Sequence, residues 1–137
     1  MIFDHEAAIL ARLAAKCAPG SRLIGTFDVV DFTDTAANPV VGKLTLMRIL
    51  PAGSVQGNAA ATALQYSFSV YCDIHRMSQA DKDAASALLT AAGNAIFGWE
   101  YRPMCTPELQ PGEETGWDGR TLQLAIGFSL AEFFIDN

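Results

Sequence analysis

The sequence predicts an α+β fold, a two-layer sandwich with two helices packed on one face of a mainly antiparallel sheet. Three observations carry this. Residues 63 to 75, ALQYSFSVYCDIH, alternate apolar and polar side chains, which is the period of a half-buried strand. Residues 120 to 134, RTLQLAIGFSLAEFF, do the same. Residues 4 to 18 and 78 to 98 instead repeat their apolar side chains every three to four positions, the period of a helix with one buried stripe. One-striped helices and one-faced strands bury each other most economically as two layers.

The elements follow in order. Residues 4 to 18, DHEAAILARLAAKCA, form a helix that Asp4 caps and Pro19-Gly20 ends. Its stripe is Ile9, Leu13 and Cys17, with Arg12 and Lys16 on the other side. A short strand lies near Arg22–Gly25, and Phe27, Val30 and Phe32 anchor an irregular turn after it. Residues 40 to 50, VVGKLTLMRIL, are a strand stopped by Pro51-Ala52-Gly53, and residues 52 to 62 are a flexible connection of small side chains. The strand 63–75 puts Leu64, Tyr66, Phe68, Val70, Cys72 and Ile74 on one face. The helix 78–98 opens with Ser78 and Asp81 in capping-box spacing, buries Ala85, Leu88, Leu89, Ala92 and Ile96, and stops at Gly98. Residues 100 to 110 are extended, and Pro103 and Pro107 confine them to an edge strand or a loop. PGEETGWDG is an acidic turn, and the strand 120–134 closes the chain.

The totals set bounds. At 137 residues, half of them hydrophobic, the chain fits one domain, 1–137. At that size it buries roughly two-thirds of its unfolded surface. No apolar run reaches the ~18 residues of a membrane helix. The start, MIFDHEAAIL, is acidic where a signal peptide is basic, so a cytoplasmic chain is expected, with no membrane partner. Cys17, Cys72 and Cys105 are odd in number and scattered, which argues against a disulfide framework and for ordinary buried thiols. The net charge is −6 with no cluster of Lys and Arg, so no specific nucleic-acid binding is expected.

Signals for catalysis are poor. The chain contains no GxSxG, P-loop, GxGxxG or HExxH. Cys72 alternates away from Asp73 and His75, which removes a nucleophilic triad. Asp73 and His75 share a strand face and are left as a candidate base and orienter, or as a solvated strand end. Asp28, Asp31 and Asp34 lack the alternate ligands, central Gly and distal Glu of a calcium loop. Three dispersed Cys and two His do not make a zinc site. Neither a metal nor a cofactor is expected.

The remaining signal is aromatic. Both tryptophans follow a glycine and bracket one acidic, proline-rich stretch, FGWEYRPMCTPELQPGEETGWDG, residues 97 to 119. Tryptophan and tyrosine are enriched at protein interfaces. Trp99, Tyr101, Glu113, Glu114 and Trp117 are therefore candidate assembly residues, and the competing reading has each Trp covering the core at a strand end. If this is a loose assembly loop, residues 110 to 116 can be deleted without unfolding the chain.

The succession of an N-terminal helix, a strand near Val41–Leu50, the long strand ALQYSFSVYCDI, a helix ending in AIFGWEYRP, an acidic glycine-containing loop and a closing strand GRTLQLAIGFSL resembles the phage tail terminator and tail-completion family, in particular the Mu-like tail proteins. Residues 26 to 38, TFDVVDFTDTAAN, stand outside that pattern. The resemblance implies an α+β sandwich that is not an enzyme. It implies a self-assembled ring, commonly of six subunits, on the end of the tail tube. Such a ring stops tube growth and meets head-completion proteins, in the virion tail and, during assembly, the bacterial host cytoplasm. An acidic ring would pass DNA without gripping it. Three classes stand at this point: a tail terminator or another head–tail completion protein, a small α+β enzyme using Asp73 and His75, and a ligand-binding domain that clamps with the aromatic loop.

Overall fold

The computed structural model describes residues 2–33, 38–54, 59–102, 105–112 and 116–135; for residues 2, 52–54, 59–60 and 133–135 it describes the backbone. The order is α1 (Ile2–Lys16), β1 (Arg22–Ile24), β2 (Val40–Ser54), β3 (Ala59–Asp73), a single 3-10 turn (Ile74–Arg76), α2 (Gln79–Ile96), β4 (Glu108–Gln110), β5 (Gly116–Trp117) and β6 (Thr121–Ile135). The strands form one six-stranded sheet in the order β1-β2-β3-β6-β4, with β5 also on β6. Among the described residues, only β1–β2 is parallel. Two helices on a mixed, mostly antiparallel sheet make the α+β fold that the sequence predicts.

The core lies between the helices and one face of the sheet. Ile9, Leu13 and Cys17 from α1 and Ala85, Leu88, Ala92, Ala95 and Ile96 from α2 meet Leu64, Tyr66, Phe68, Val70 and Cys72 of β3, with Val40, Leu44, Phe128 and Leu130 beside them. This is the inward row read from the alternation of β3. α2 starts where expected, because the Ser78 side chain accepts from the Asp81 N–H while the Asp81 carboxylate accepts from the Ser78 N–H. Each reciprocal bond satisfies a helix-end donor. The other face of the sheet is polar and still largely buried, with Gln65, Ser67, Ser69, Asp73 and Ser129 all enclosed.

Several boundaries differ from expectation. α1 begins at Ile2 and ends at Lys16, so Asp4 lies within the first turn instead of capping it. β2 runs through Pro51-Ala52-Gly53 to Ser54, and β3 starts at Ala59. Most of the expected flexible connection is thus two strand arms. Proline is tolerated there because β1 covers β2 only at Val41–Gly42–Lys43, leaving Pro51 on an open edge. A register shift at Met47 turns Arg48 to the face of Gln65. Residues 74 to 76 leave the strand as a 3-10 turn. Gly116 and Trp117, expected inside a turn, pair with Gln123 and Leu122.

Candidate functional site

The segment between α2 and β6 carries the aromatic residues singled out in the sequence, and its two ends are built differently. Gly98, at φ +75°, turns the chain out of α2, a conformation that favours glycine. Trp99 then lies half-buried on the core. The Arg12 guanidinium sits 5.3 Å over its ring and also donates to the Ala95 carbonyl at 3.0 Å. Tyr101 packs edge-on against Trp99 with ring centres 5.1 Å apart. The Tyr101 hydroxyl meets His5 Nδ1 at 2.9 Å, and His5 Nε2 donates to Glu132. The Arg102 guanidinium covers the outer face of Tyr101 at 5.1 Å and donates to the Ala131 carbonyl at 3.2 Å. One chain of contacts therefore ties α1, the start of this segment and β6 together, with His5 at its centre and only 4 % exposed.

The Tyr66 hydroxyl is buried near the same group and has no hydrogen-bond partner among the described residues. Burial, followed by the nearby Glu6, Tyr101 and Glu132, pushes its ionisation far above the usual phenol range. Tyr66 therefore stays neutral and belongs to the core, where it stacks on Phe128.

Trp117 sits at the sheet margin and is 59 % exposed. It borders a shallow hollow of about 230 Å³ lined by Tyr71, Gly116, Asp118, Thr121 and Gln123. Its strand is fixed from behind by the turn at Asp118, whose carboxylate accepts from the N–H groups of Arg120 at 3.0 Å and Thr121 at 2.6 Å. Those bonds hold the Asp118 carboxyl below its ordinary range. The structure thus separates the two tryptophans: Trp99 is packed inward and Trp117 is presented outward. Glu113 and Glu114 lie outside the described residues. Residues 110 to 116 are also not one loose loop, since Gln110 and Gly116 are strand residues. The Pro111 carbonyl accepts from Gln65 at 3.1 Å. Deleting the whole stretch would therefore cut into the sheet.

Asp73 and His75 are not brought together as a base and its orienter. The strand ends at Asp73, and the His75 ring turns to the Gly119 carbonyl at 3.1 Å. Asp73 is fully enclosed and forks with Arg120, at 3.3 Å to Nε and 3.1 Å to Nη2, with Arg76 at 3.7 Å. Arg120 first, then Arg76 and the His75 N–H, hold the Asp73 carboxyl below its ordinary value. A lowered carboxylate stabilises the fold above its unfolded pKa, about 3.9, and that contribution is lost as pH falls through the folded value. Asp73→Asn is expected to lower the melting temperature at pH 7, with the gap to the parent narrowing as pH drops below about 4. Thermal unfolding of both chains from pH 7 to pH 3 checks this.

Asp28 and Asp31 are used locally. Asp28 accepts from the Gly25 N–H at 2.8 Å, and Asp31 accepts from the Thr33 N–H at 2.9 Å; Asp34 lies outside the described residues. Among the described residues no group of three or more His, Cys, Asp or Glu is arranged to hold a metal ion. All three cysteines are free, and burial raises the thiols of Cys17 and Cys72, away from nucleophilic use. Among the described residues no helix is long and apolar enough to cross a membrane. The His5–Glu132 contact was missed by sequence reasoning. No local spacing links positions 127 apart.

No protein-family model matches the sequence, and no curated protein matches it. Among solved structures, the chain is similar to the sheath/tube terminator of PVC, an extracellular contractile injection system, seen by cryo-electron microscopy in the extended state. The TM-score is 0.69 at 17 % sequence identity, covering 100 % of this chain and 57 % of that one. The chain thus spans little more than half the length of that terminator. At this identity the likeness is one of fold, and it runs the whole length of the chain.

Proposed function

We propose that the chain is a tail-terminator protein: it assembles into a ring on the end of a tail tube, ends tube growth and offers a surface to the next component. The observation that carries this reading is the fold likeness to a sheath/tube terminator over the full chain. The succession of elements in the sequence resembles the tail terminator and tail-completion family and supports the same reading. The folding unit is one domain, 1–137, and the ring is a hexamer. The partners are the tube protein and, on a phage tail, a head-completion protein. The ring acts as part of the tail of a phage, prophage or injection system, assembled in a bacterial cytoplasm. Its role is structural, not catalytic. Trp117 is the outward assembly contact, and Trp99 and Tyr101 hold its segment to the core. Glu113 and Glu114 add negative charge to that stretch.

The test is the mass of the purified chain by light scattering across a concentration series, with negative-stain images of the same fractions. A species six times the 14.7 kDa chain, ring-shaped in projection, is the expected result. A compact dimer at all concentrations would contradict the reading.

A further inference from the structure

One row of the sheet runs from edge to edge through four strands. Arg48 on β2 pairs with Gln65 on β3, Gln65 with Ser129 on β6, and Ser129 with Glu108 on β4. Residues paired across strands project to the same side. Arg48 and Glu108 therefore end one row on the polar face, with opposite charges. Both are exposed, and neither charged group has a partner among the described residues.

β1 covers β2 at Val41–Gly42–Lys43 and the Thr26 hydroxyl accepts from the Leu46 N–H at 3.0 Å, which leaves the β2 edge from Met47 onward, while β4 ends the sheet on the other side. The two edges also differ in charge. β1 and β2 carry Arg22, Lys43 and Arg48 and no acid, whereas β4 carries Glu108 and no base. Lys43 pairs with Ser69 and so shares the polar face with Arg48. Arg22 is partly engaged, donating to the Asp31 carbonyl at 3.3 Å. Beside each end of the row stands an exposed apolar residue, Ile49 on β2 and Leu109 on β4.

Laying a second β2 edge on the first would set Arg48 against a like charge, a usual way for edge strands to refuse their own kind. A β4 edge from another copy sets Glu108 against Arg48, with Leu109 diagonal to Ile49 on the other face of the sheet. β4 runs opposite to β2, because each step β2–β3–β6–β4 is antiparallel. Continuing the sheet into a neighbour therefore makes an antiparallel pair. We infer that copies of this chain associate head to tail, with the outer edge of β2 in one copy against the outer edge of β4 in the next and Arg48 facing Glu108. The inference rests on the ring reading and names the surfaces that make the ring. A contact between unlike surfaces closes under repeated rotation, as a ring requires.

The test places Arg48→Cys in one chain and Glu108→Cys in another, both in a Cys105→Ser background, and adds a short bismaleimide. The expected result is a crosslinked dimer on mixing the two and none with either alone. The chain carrying both substitutions should give a ladder whose last rung reads the ring size. As a second measurement, Lys43→Glu with Arg48→Glu should lose self-association by light scattering while keeping the parent's circular dichroism. Crosslinking by either single variant alone would show like edges meeting and overturn the inference. So would a parent oligomer that neither crosslinks on mixing nor responds to the charge reversal, and in that case the ring reading survives. A parent chain that is monomeric throughout, with no crosslink on mixing, would overturn both.

Discussion

Gly127→Ala is expected to destabilise the chain by about 3 kcal/mol or to prevent folding, at the upper end of what overpacking costs. The reason is spatial. A Cβ at Gly127 would lie 2.5 Å from both the carbonyl carbon and oxygen of Pro111 and 2.6 Å from the Gln110 oxygen. These are backbone atoms that cannot swing aside. The chain leaves β4 at Gln110 and crosses directly over β6 there, and a Cβ at Gly112 would also meet backbone, at 2.9 Å from Gly127 N and the Ile126 carbonyl carbon. The added methyl must break β4 from β6 or push the Pro111 carbonyl off Gln65. Urea denaturation gives the loss, and amide exchange should show Leu109 and Gln110 opening first. Gly93→Ala is the control. Its Cβ meets only Ile126 Cδ1, at 3.7 Å, so replacing a glycine inside α2 should leave stability unchanged or raise it by roughly 0.5–1 kcal/mol. A Gly127→Ala chain as stable as the parent would show that the crossing is not built as described.

His5→Ala is expected to cost about 3 kcal/mol. The imidazole is buried between a hydroxyl and a carboxylate. Hydrogen bonds to charged groups contribute roughly 1.5–3 kcal/mol each, and buried groups left unpaired cost about as much again when water cannot reach them. Tyr101→Phe removes one of the two bonds and should cost about 1 kcal/mol. The pair of variants separates the His5–Glu132 contact from the His5–Tyr101 contact. Both should also speed chymotryptic cleavage after the aromatic residue at position 101, because the His5–Tyr101 bond helps hold that ring to α1. A His5→Ala chain with unchanged urea midpoint and unchanged proteolysis would mean that the cluster does not brace the segment.

The sequence discloses what local period can encode. Alternation in β3 places Leu64, Tyr66, Phe68, Val70 and Cys72 on one face, and those five residues line the core. The Ser78–Asp81 spacing marks the start of α2, and both capping bonds are present. Where local signals and pairing disagree, pairing wins. Ala59 to Thr62 shows no alternation, and Pro51 and Gly53 punctuate the facing strand, yet both stretches are strand because they pair with each other and β6 supplies β3 with partners from Glu132 to Ile135. The two-residue β5 follows likewise from its place beside Leu122 and Gln123.

The candidate site was legible only in part, for the same reason. The two tryptophans look equivalent in sequence, each after a glycine. Arg12 and Tyr101 fix Trp99 inward, and a turn at Asp118 presents Trp117. Neither arrangement is local. The row from Arg48 to Glu108 is further from reach, since it needs three strand registers and the shift at Met47 before the two charges fall in line.

The proposed role is to end a tube. The measurement is the length distribution of tubes polymerised from the tube protein of the same genome, imaged by negative stain with and without the purified chain at a ratio of a few rings per tube. The expected result is shorter tubes that stop growing, each with a disc of added density at one end. Tubes that elongate as before, with the chain absent from their ends or scattered along their sides, would contradict it.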